Sequence, residues 1–208
     1  MSRARAAPLL AAAAALAGCG APGAPDPAAA LQIDCATGPH TAQVAALICA
    51  DPQLGALNDR LAETYRQAEQ RPDAAGLATA QRGWTAQRDD CTQRPGTAAA
   101  VTECLREAYL TRLAELQIAD PATAAGPTAV FDRCRGSHEQ AVPPLEVTFY
   151  NDLDPAVVAL TWQGDREIAF IRPAASGSRY TRTGIQYWEH HGEAAVDFYG
   201  NTFRCLTR

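Results

Sequence analysis

The chain changes its hydrophobic period once, and that change dictates two units of different kinds. Up to about residue 119 apolar residues recur at helical spacing, and beyond residue 130 they alternate with polar ones. A pattern of one period does not serve the other structure, because side chains repeat every 3.6 residues around a helix and every two along a strand. The changeover falls at Asp-Pro-Ala-Thr-Ala-Ala-Gly-Pro-Thr, residues 120–128, which supports neither element. The expected class is α+β in separate domains, a helical unit over 34–119 and a β unit over 130–208, joined by a linker over 120–129. At 208 residues the chain is long enough for two modest cores.

The helical unit has clear punctuation. Asp51-Pro52 reads as an N-cap followed by proline at the first helical position. Leu54, Leu57, Leu61 and Tyr65 follow on one face, with Asp59, Arg60, Glu63 and Arg66 elsewhere. A second helix is expected over about 75–90 around Leu77, Ala80 and Trp84, and a third over about 98–117 around Val101, Leu105, Ala108, Tyr109 and Leu116. A shorter helix over about 41–49 precedes them, and Arg71-Pro72 and Arg94-Pro95-Gly96 interrupt the runs. Trp84 is expected in the core, with Arg88 and Asp89 as a structural pair.

In the β unit Leu145, Val147 and Phe149 alternate with polar neighbours, and Val158, Leu160 and Trp162 recur at the same two-residue spacing. Further runs are 167–171, 185–188, 194–199 and 202–206, with hairpin signals at Gln163-Gly164-Asp165 and Gly200-Asn201. Short strands at close spacing predict a small antiparallel barrel or sandwich.

The N-terminus reads as an export signal. Arg3 and Arg5 precede the apolar run 6–17, which is shorter than the roughly twenty residues that span a bilayer. The run ends in Leu16-Ala17-Gly18-Cys19, which resembles the bacterial lipobox. That resemblance implies removal of residues 1–18, lipidation of Cys19 and a lipid-anchored protein. With Gly20 after the cysteine, it implies sorting to the outer membrane of a Gram-negative bacterium. An Ala/Pro/Gly tether over 19–33 follows. All 18 basic residues are arginine, and loss of Arg3 and Arg5 leaves 16 against 23 acidic residues, a net charge of −7. Nucleic acid is therefore a poor partner and a basic protein a better one.

Six further cysteines, Cys35, Cys49, Cys91, Cys104, Cys134 and Cys205, form an even set in an exported chain and predict disulfides. A metal site is not expected, since neither Cys-x-x-Cys nor His-x-x-x-His spacing occurs. Adjacent strand residues point to opposite faces, which also argues against a His190-His191 metal pair. Cys134 with Cys205 would tie the ends of the β unit, contributing on the order of 4 kcal/mol in the chain-entropy model. The other four allow three connectivities, and the sequence does not choose among them; the preferred one joins Cys35 to Cys91 and Cys49 to Cys104.

Candidate binding residues cluster in 175–194. Ser176 sits in a turn-like Ser-Gly-Ser, and His190 lies fourteen residues further on, next to another glycine-bearing turn. Taken alone these are an ordinary loop hydroxyl and an imidazole. No Gly-x-Ser-x-Gly elbow, His-Glu-x-x-His helix or phosphate loop is present, and Glu167, Glu189 and Glu193 form no acid–base pair by spacing. No enzyme and no cofactor is expected.

Residues 130–208 resemble the membrane-bound c-type lysozyme inhibitors, the MliC/PliC family. The resemblance is carried by Phe131 and Cys134, Ser176-Gly177-Ser178-Arg179-Tyr180, Tyr187-Trp188, Glu193-Ala194 and Cys205. It implies a β-barrel of about eight strands and c-type lysozyme as partner. Ser176 takes the position of the family serine that enters the lysozyme cleft, and Gly177, Arg179 and Tyr180 belong to the same string. The family lysine two residues past the Trp is His190 here, and the glycine that usually follows is displaced to Gly192. Residues 34–119 resemble the LprI-like domain, named after another lysozyme inhibitor. Here the carriers are Ile48-Cys49-Ala50-Asp51, Leu54, Tyr65, the Gln81, Trp84, Arg88, Asp89 and Cys91 pattern, and the run from Cys104 to Tyr109. The resemblances imply an envelope inhibitor that offers donors to the two carboxyls of a retaining glycosidase without a bond to cleave. Ser176 donates in any state; an imidazole makes a charge-assisted bond only when protonated. The alternative is a structural or assembly lipoprotein binding a periplasmic partner or the cell wall through its helical unit. A homodimer is compatible with either, and an envelope hydrolase ranks last.

Overall fold

A computed structural model describes residues 33–37, 40 and 42–206; Cys19, the segment 1–18 and residues 19–32 of the tether lie outside the described residues. Among the described residues four helices come first: α1 (Gln43–Ala50), α2 (Pro52–Glu69), α3 (Leu77–Asp89) and α4 (Ala98–Ile118). Asp51 Oδ1 accepts from the Gln53 and Leu54 amides at 2.8 and 3.2 Å, and Pro52 opens α2. Thr97 Oγ1 accepts from the Ala100 amide at 3.2 Å and starts α4. Their apolar stripes meet in one cluster holding Leu54, Leu61, Tyr65, Trp84, Leu105, Tyr109 and Leu116. Beneath Trp84, the buried Arg88 guanidinium lies 5.2 Å from the indole centroid and pairs with Asp89 at 2.7 Å. Tyr109 Oη accepts from Arg88 and donates to Asn58 Oδ1 at 3.1 Å, so the charge is buried with partners.

The helical disulfides join Cys35 to Cys49 and Cys91 to Cys104, which corrects the preferred pairing of Cys35 with Cys91 and Cys49 with Cys104. The reason is local geometry. Cys91 lies in a 3-10 turn just after α3 and Cys104 in the second turn of α4, so the two face each other across the 93–97 connection. Cys35 lies on the segment whose Ile33 carbonyl accepts from Asn58 Nδ2 at 2.7 Å, which brings it back over the end of α1. Each pair closes a short loop, with sequence separations of 14 and 13.

Ten strands follow among the described residues: β1 (Thr128–Phe131), β2 (Cys134–Gly136), β3 (Ala141–Val142), β4 (Leu145–Tyr150), β5 (Val157–Trp162), β6 (Asp165–Arg172), β7 (Ser178–Arg182), β8 (Ile185–His190), β9 (Glu193–Phe198) and β10 (Asn201–Leu206). They make one antiparallel sheet in the order β1-β4-β5-β6-β7-β8-β9-β10-β2-β3. The short β2 and β3 raise the count from the eight expected to ten. Side chains from β1, β2 and β4 to β10 converge on one cluster, including Phe131, Val147, Leu160, Tyr180, Tyr187, Val196 and Phe203, so the sheet curls around its own core. The Cys134–Cys205 bridge, predicted from the sequence, joins residues directly opposite in β2 and β10.

Val157 to Leu160 are buried without interruption. Val158 and Leu160 enter the inner core, while Val157 and Ala159 face outward with Ile168 and Phe170. Leu110, Ala114 and Ile118 of α4 cover that outer patch. The helical and β regions are sequential, and they share this third apolar cluster. The Thr183 amide on the β7–β8 turn donates to Glu107 of α4, and Arg172 lies 3.6 Å from Glu103.

Candidate functional site

Antiparallel hairpins place the β6–β7 loop (173–177) and the β8–β9 turn (191–192) at one end of the sheet. The β5–β6, β7–β8 and β9–β10 turns lie at the other end. Ser176 and Gly177 are exposed in the first loop, and His190, half-buried, ends β8. Trp188 links the first loop to His190. Trp188 Nε1 donates to the Ser176 carbonyl at 3.0 Å. The Trp188 ring also meets the His190 ring edge-on, with centroids 4.3 Å apart.

Gly177 makes the close approach possible. Its φ is +67°, and a Cβ there would stand 1.9 Å from the Glu189 carbonyl oxygen and 2.8 Å from His190 Cβ. No L side chain fits that spot, and only glycine adopts the backbone without cost. Ser178 pairs with Glu189 and Arg179 with Trp188 in the β7–β8 ladder. The structure therefore brings the Ser176 loop against His190.

The remaining members of the string divide by face. Arg179 is exposed and donates to Gln186 Oε1 at 2.9 Å. Tyr180 points the other way; it is 3% exposed and packs edge-on to Phe149 at 6.0 Å. Its ring supports the loop from inside rather than facing a partner. Tyr187 is buried one strand over, and its hydroxyl donates to the Glu189 carboxylate at the mouth of the core. Burial, first, and the Glu189 charge push both tyrosine hydroxyls above their usual pKa, so they remain protonated donors. A groove of about 400 Å³ runs beside Phe149, Gly177, Glu189, His190 and His191.

His190 Nδ1 is buried without a hydrogen bond, so a contact from this ring to a partner must come from Nε2. His190 and His191 do not point to opposite faces, as strand alternation would have them do. His191 has φ +50° and belongs to the turn, so the two rings lie 5.3 Å apart instead of on opposite faces. Cys35, His40 and Cys49 bring three ligand atoms within 4.8 Å, but both sulfurs are engaged in the disulfide. In the sequence Trp188 stands out only as part of the Tyr187-Trp188 pair. Its role in joining Ser176 to His190 is a tertiary contact, and the sole signal for it was the pair of twelve- and two-residue offsets.

A family model described as membrane-bound lysozyme inhibitor of c-type lysozyme matches residues 138–203, and one described as lysozyme inhibitor LprI matches residues 35–116. Lipoprotein LprI of Mycobacterium tuberculosis and that of Mycobacterium bovis are each 45% identical to the chain over 183 residues, covering 87% of it and 86% of their own length. The chain belongs to the LprI lipoprotein family. No solved structure matches it. Both matched models describe inhibitors, which places this LprI family member among inhibitor proteins rather than enzymes, with c-type lysozyme as the implied partner. The lipoprotein relatives and the membrane-bound family point to the cell envelope. Among the described residues no helix is long and apolar enough to cross a membrane.

Proposed function

We propose that the protein inhibits c-type lysozyme by seating its β6–β7 loop and β8–β9 turn in the enzyme's cleft, with Ser176 and His190 as donors to the catalytic carboxyls. The observation that carries this reading is the Gly177 approach, which holds two donor-bearing loops side by side at an exposed end of the sheet. The Ser176 hydroxyl donates to a carboxyl in either protonation state. His190 Nε2 adds a charge-assisted bond when the ring is protonated. Arg179, exposed beside them, supplies a permanent cation at the rim, and the net charge of −7 after loss of Arg3 and Arg5 favours encounter with a basic enzyme. Lipid on Cys19 anchors the chain in the envelope through the 19–33 tether; the outer membrane as destination rests on Gly20 alone.

The test is a lysis assay in which purified protein lacking residues 1–19 is added to a hen-type lysozyme acting on cell walls. Inhibition at or below micromolar concentration, lost in the Ser176→Ala/His190→Ala double variant, is the expected result. Absence of inhibition at that concentration overturns it and favours a structural lipoprotein. The protein alone on peptidoglycan is expected to release nothing.

A further inference from the structure

The two regions enclose a cleft of about 1050 Å³ at the end of the sheet opposite the Ser176 and His190 loops. One wall is α3 and α4, contributing Trp84, Thr111 and Arg112; the other is β6, the end of β7 and the β9–β10 turn, contributing Glu167, Arg182 and Tyr199. We propose that this cleft is a binding site for a small monocarboxylate with a neutral polar body.

Three observations carry the proposal. First, donors are held without acceptors along the cleft. The Arg112 side chain is 8% exposed; its Nε donates to Gln81 Oε1 and its Nη1 to Glu115 Oε2, both at 2.9 Å, while Nη2 has no partner. Arg182 Nε across the cleft and Thr111 Oγ1 beside Arg112 are likewise buried and unpartnered. A buried donor without an acceptor is costly, and a ligand oxygen entering the cleft supplies an acceptor once a guanidinium exchanges part of its present pairing for it. Guanidinium and hydroxyl groups are the donor types that a carboxylate accepts from.

Second, the charge count selects a monoanion. Four arginines (Arg94, Arg112, Arg166 and Arg182) and three glutamates (Glu107, Glu115 and Glu167) line the cleft, a net of +1. The glutamates are already engaged: Glu115 with Arg112, Glu167 with Arg182 and Tyr199, Glu107 with the Thr183 amide. They leave no cation-binding set, and one carboxylate balances the net charge of +1. Third, the size and lining suit more than an ion. Small-ligand clefts run to roughly 1,000 Å³ with aromatic lining, and Tyr199, 56% exposed at the rim, offers a face for an uncharged body. Because both regions line the cleft, ligand binding stabilises their contact by mass action.

Isothermal titration of the protein lacking residues 1–19 tests this with matched pairs. N-acetylmuramic acid and N-acetylglucosamine differ by one lactyl carboxylate; N-acetyl-alanyl-alanine and its C-terminal amide differ by one charge. The expected result is binding of at least one acid, with its neutral partner at least tenfold weaker; which acid binds tells a sugar acid from a peptide terminus. Thr111→Val, nearly isosteric, and Arg182→Gln each weaken binding at least fivefold, while lysozyme inhibition is unchanged because the inhibitory loops lie at the other end. Arg112→Gln abolishes binding if it folds, and the other two variants carry the test if it does not. No acid binding at 10 mM, equal binding of acid and neutral partner, or acid binding untouched by Thr111→Val and Arg182→Gln overturns the proposal.

Discussion

Replacing Gly177 with alanine separates presentation of the inhibitory loops from general stability. The added Cβ would sit 1.9 Å from the Glu189 carbonyl oxygen, where ordinary contact begins at 3.4 Å. The β6–β7 loop must therefore move away from β8 by about 1.5 Å, the difference between those two distances, because a backbone carbonyl in a ladder does not rotate aside. The φ of +67° adds roughly 1–2 kcal/mol of left-handed backbone cost. In a chain of this size that lowers Tm by about 2–8 °C. Displacing one of two central anchors costs binding on the order of 2 kcal/mol, or about thirtyfold in the inhibition constant. Gly200→Ala is the matched control: its φ is +84°, nothing lies within 4 Å of a Cβ there, and it belongs to the turn at the opposite end of the sheet. It is expected to lower Tm by a similar dihedral amount and leave inhibition unchanged. Inhibition constants against a c-type lysozyme and thermal scans on both variants decide it. Wild-type inhibition by Gly177→Ala, or equal loss by Gly200→Ala, would mean that the Gly177 approach does not present the inhibitory loops.

Trp188→Phe keeps the ring against His190 but removes the donor to the Ser176 carbonyl; a roughly three- to tenfold weaker inhibition is expected, and less than additive loss when combined with Ser176→Ala, read from a double-mutant cycle. A carboxylate partner favours the charged imidazole, so inhibition by the wild type strengthens as pH falls from about 8 to 6 while His190→Lys is flat over the same range; comparing the two cancels titration of the enzyme's own carboxyls, and parallel profiles would exclude His190 as the charged donor. Leu110→Ala removes part of the apolar cluster shared by α4 and the sheet and is expected to cost about 2–3 kcal/mol in denaturant unfolding. The wild type unfolds in one transition if that cluster couples the regions, and two separate transitions would contradict it.

The readable parts of the fold were those decided within a few residues. Asp51-Pro52 announced α2 because the cap and the proline act on neighbouring amides, and Gln163-Gly164 announced a hairpin because that turn needs two residues at positive φ. The β9–β10 turn lies one residue earlier than its signal, at Tyr199-Gly200, since tyrosine gave no hint of its φ of +52°. The two- and three-residue strands β3 and β2 are too short to show a period. Disulfide pairing was not legible because it depends on which helix ends meet. The contact of α4 with the sheet left one trace: the unbroken Val157 to Leu160 run, which marks a strand covered on both faces. At the site, Ser176 and His190 were legible only through resemblance, while their apposition by Gly177 and Trp188 needed the third dimension.

Hydrogen–deuterium exchange of the protein with and without a c-type lysozyme tests most directly which surface engages the enzyme. Protection gained on complex formation is expected at the amides of 174–178 and 188–192, with the helices over 43–118 unchanged. Protection confined to the helices, with those two loops exchanging as in the free protein, would contradict the account.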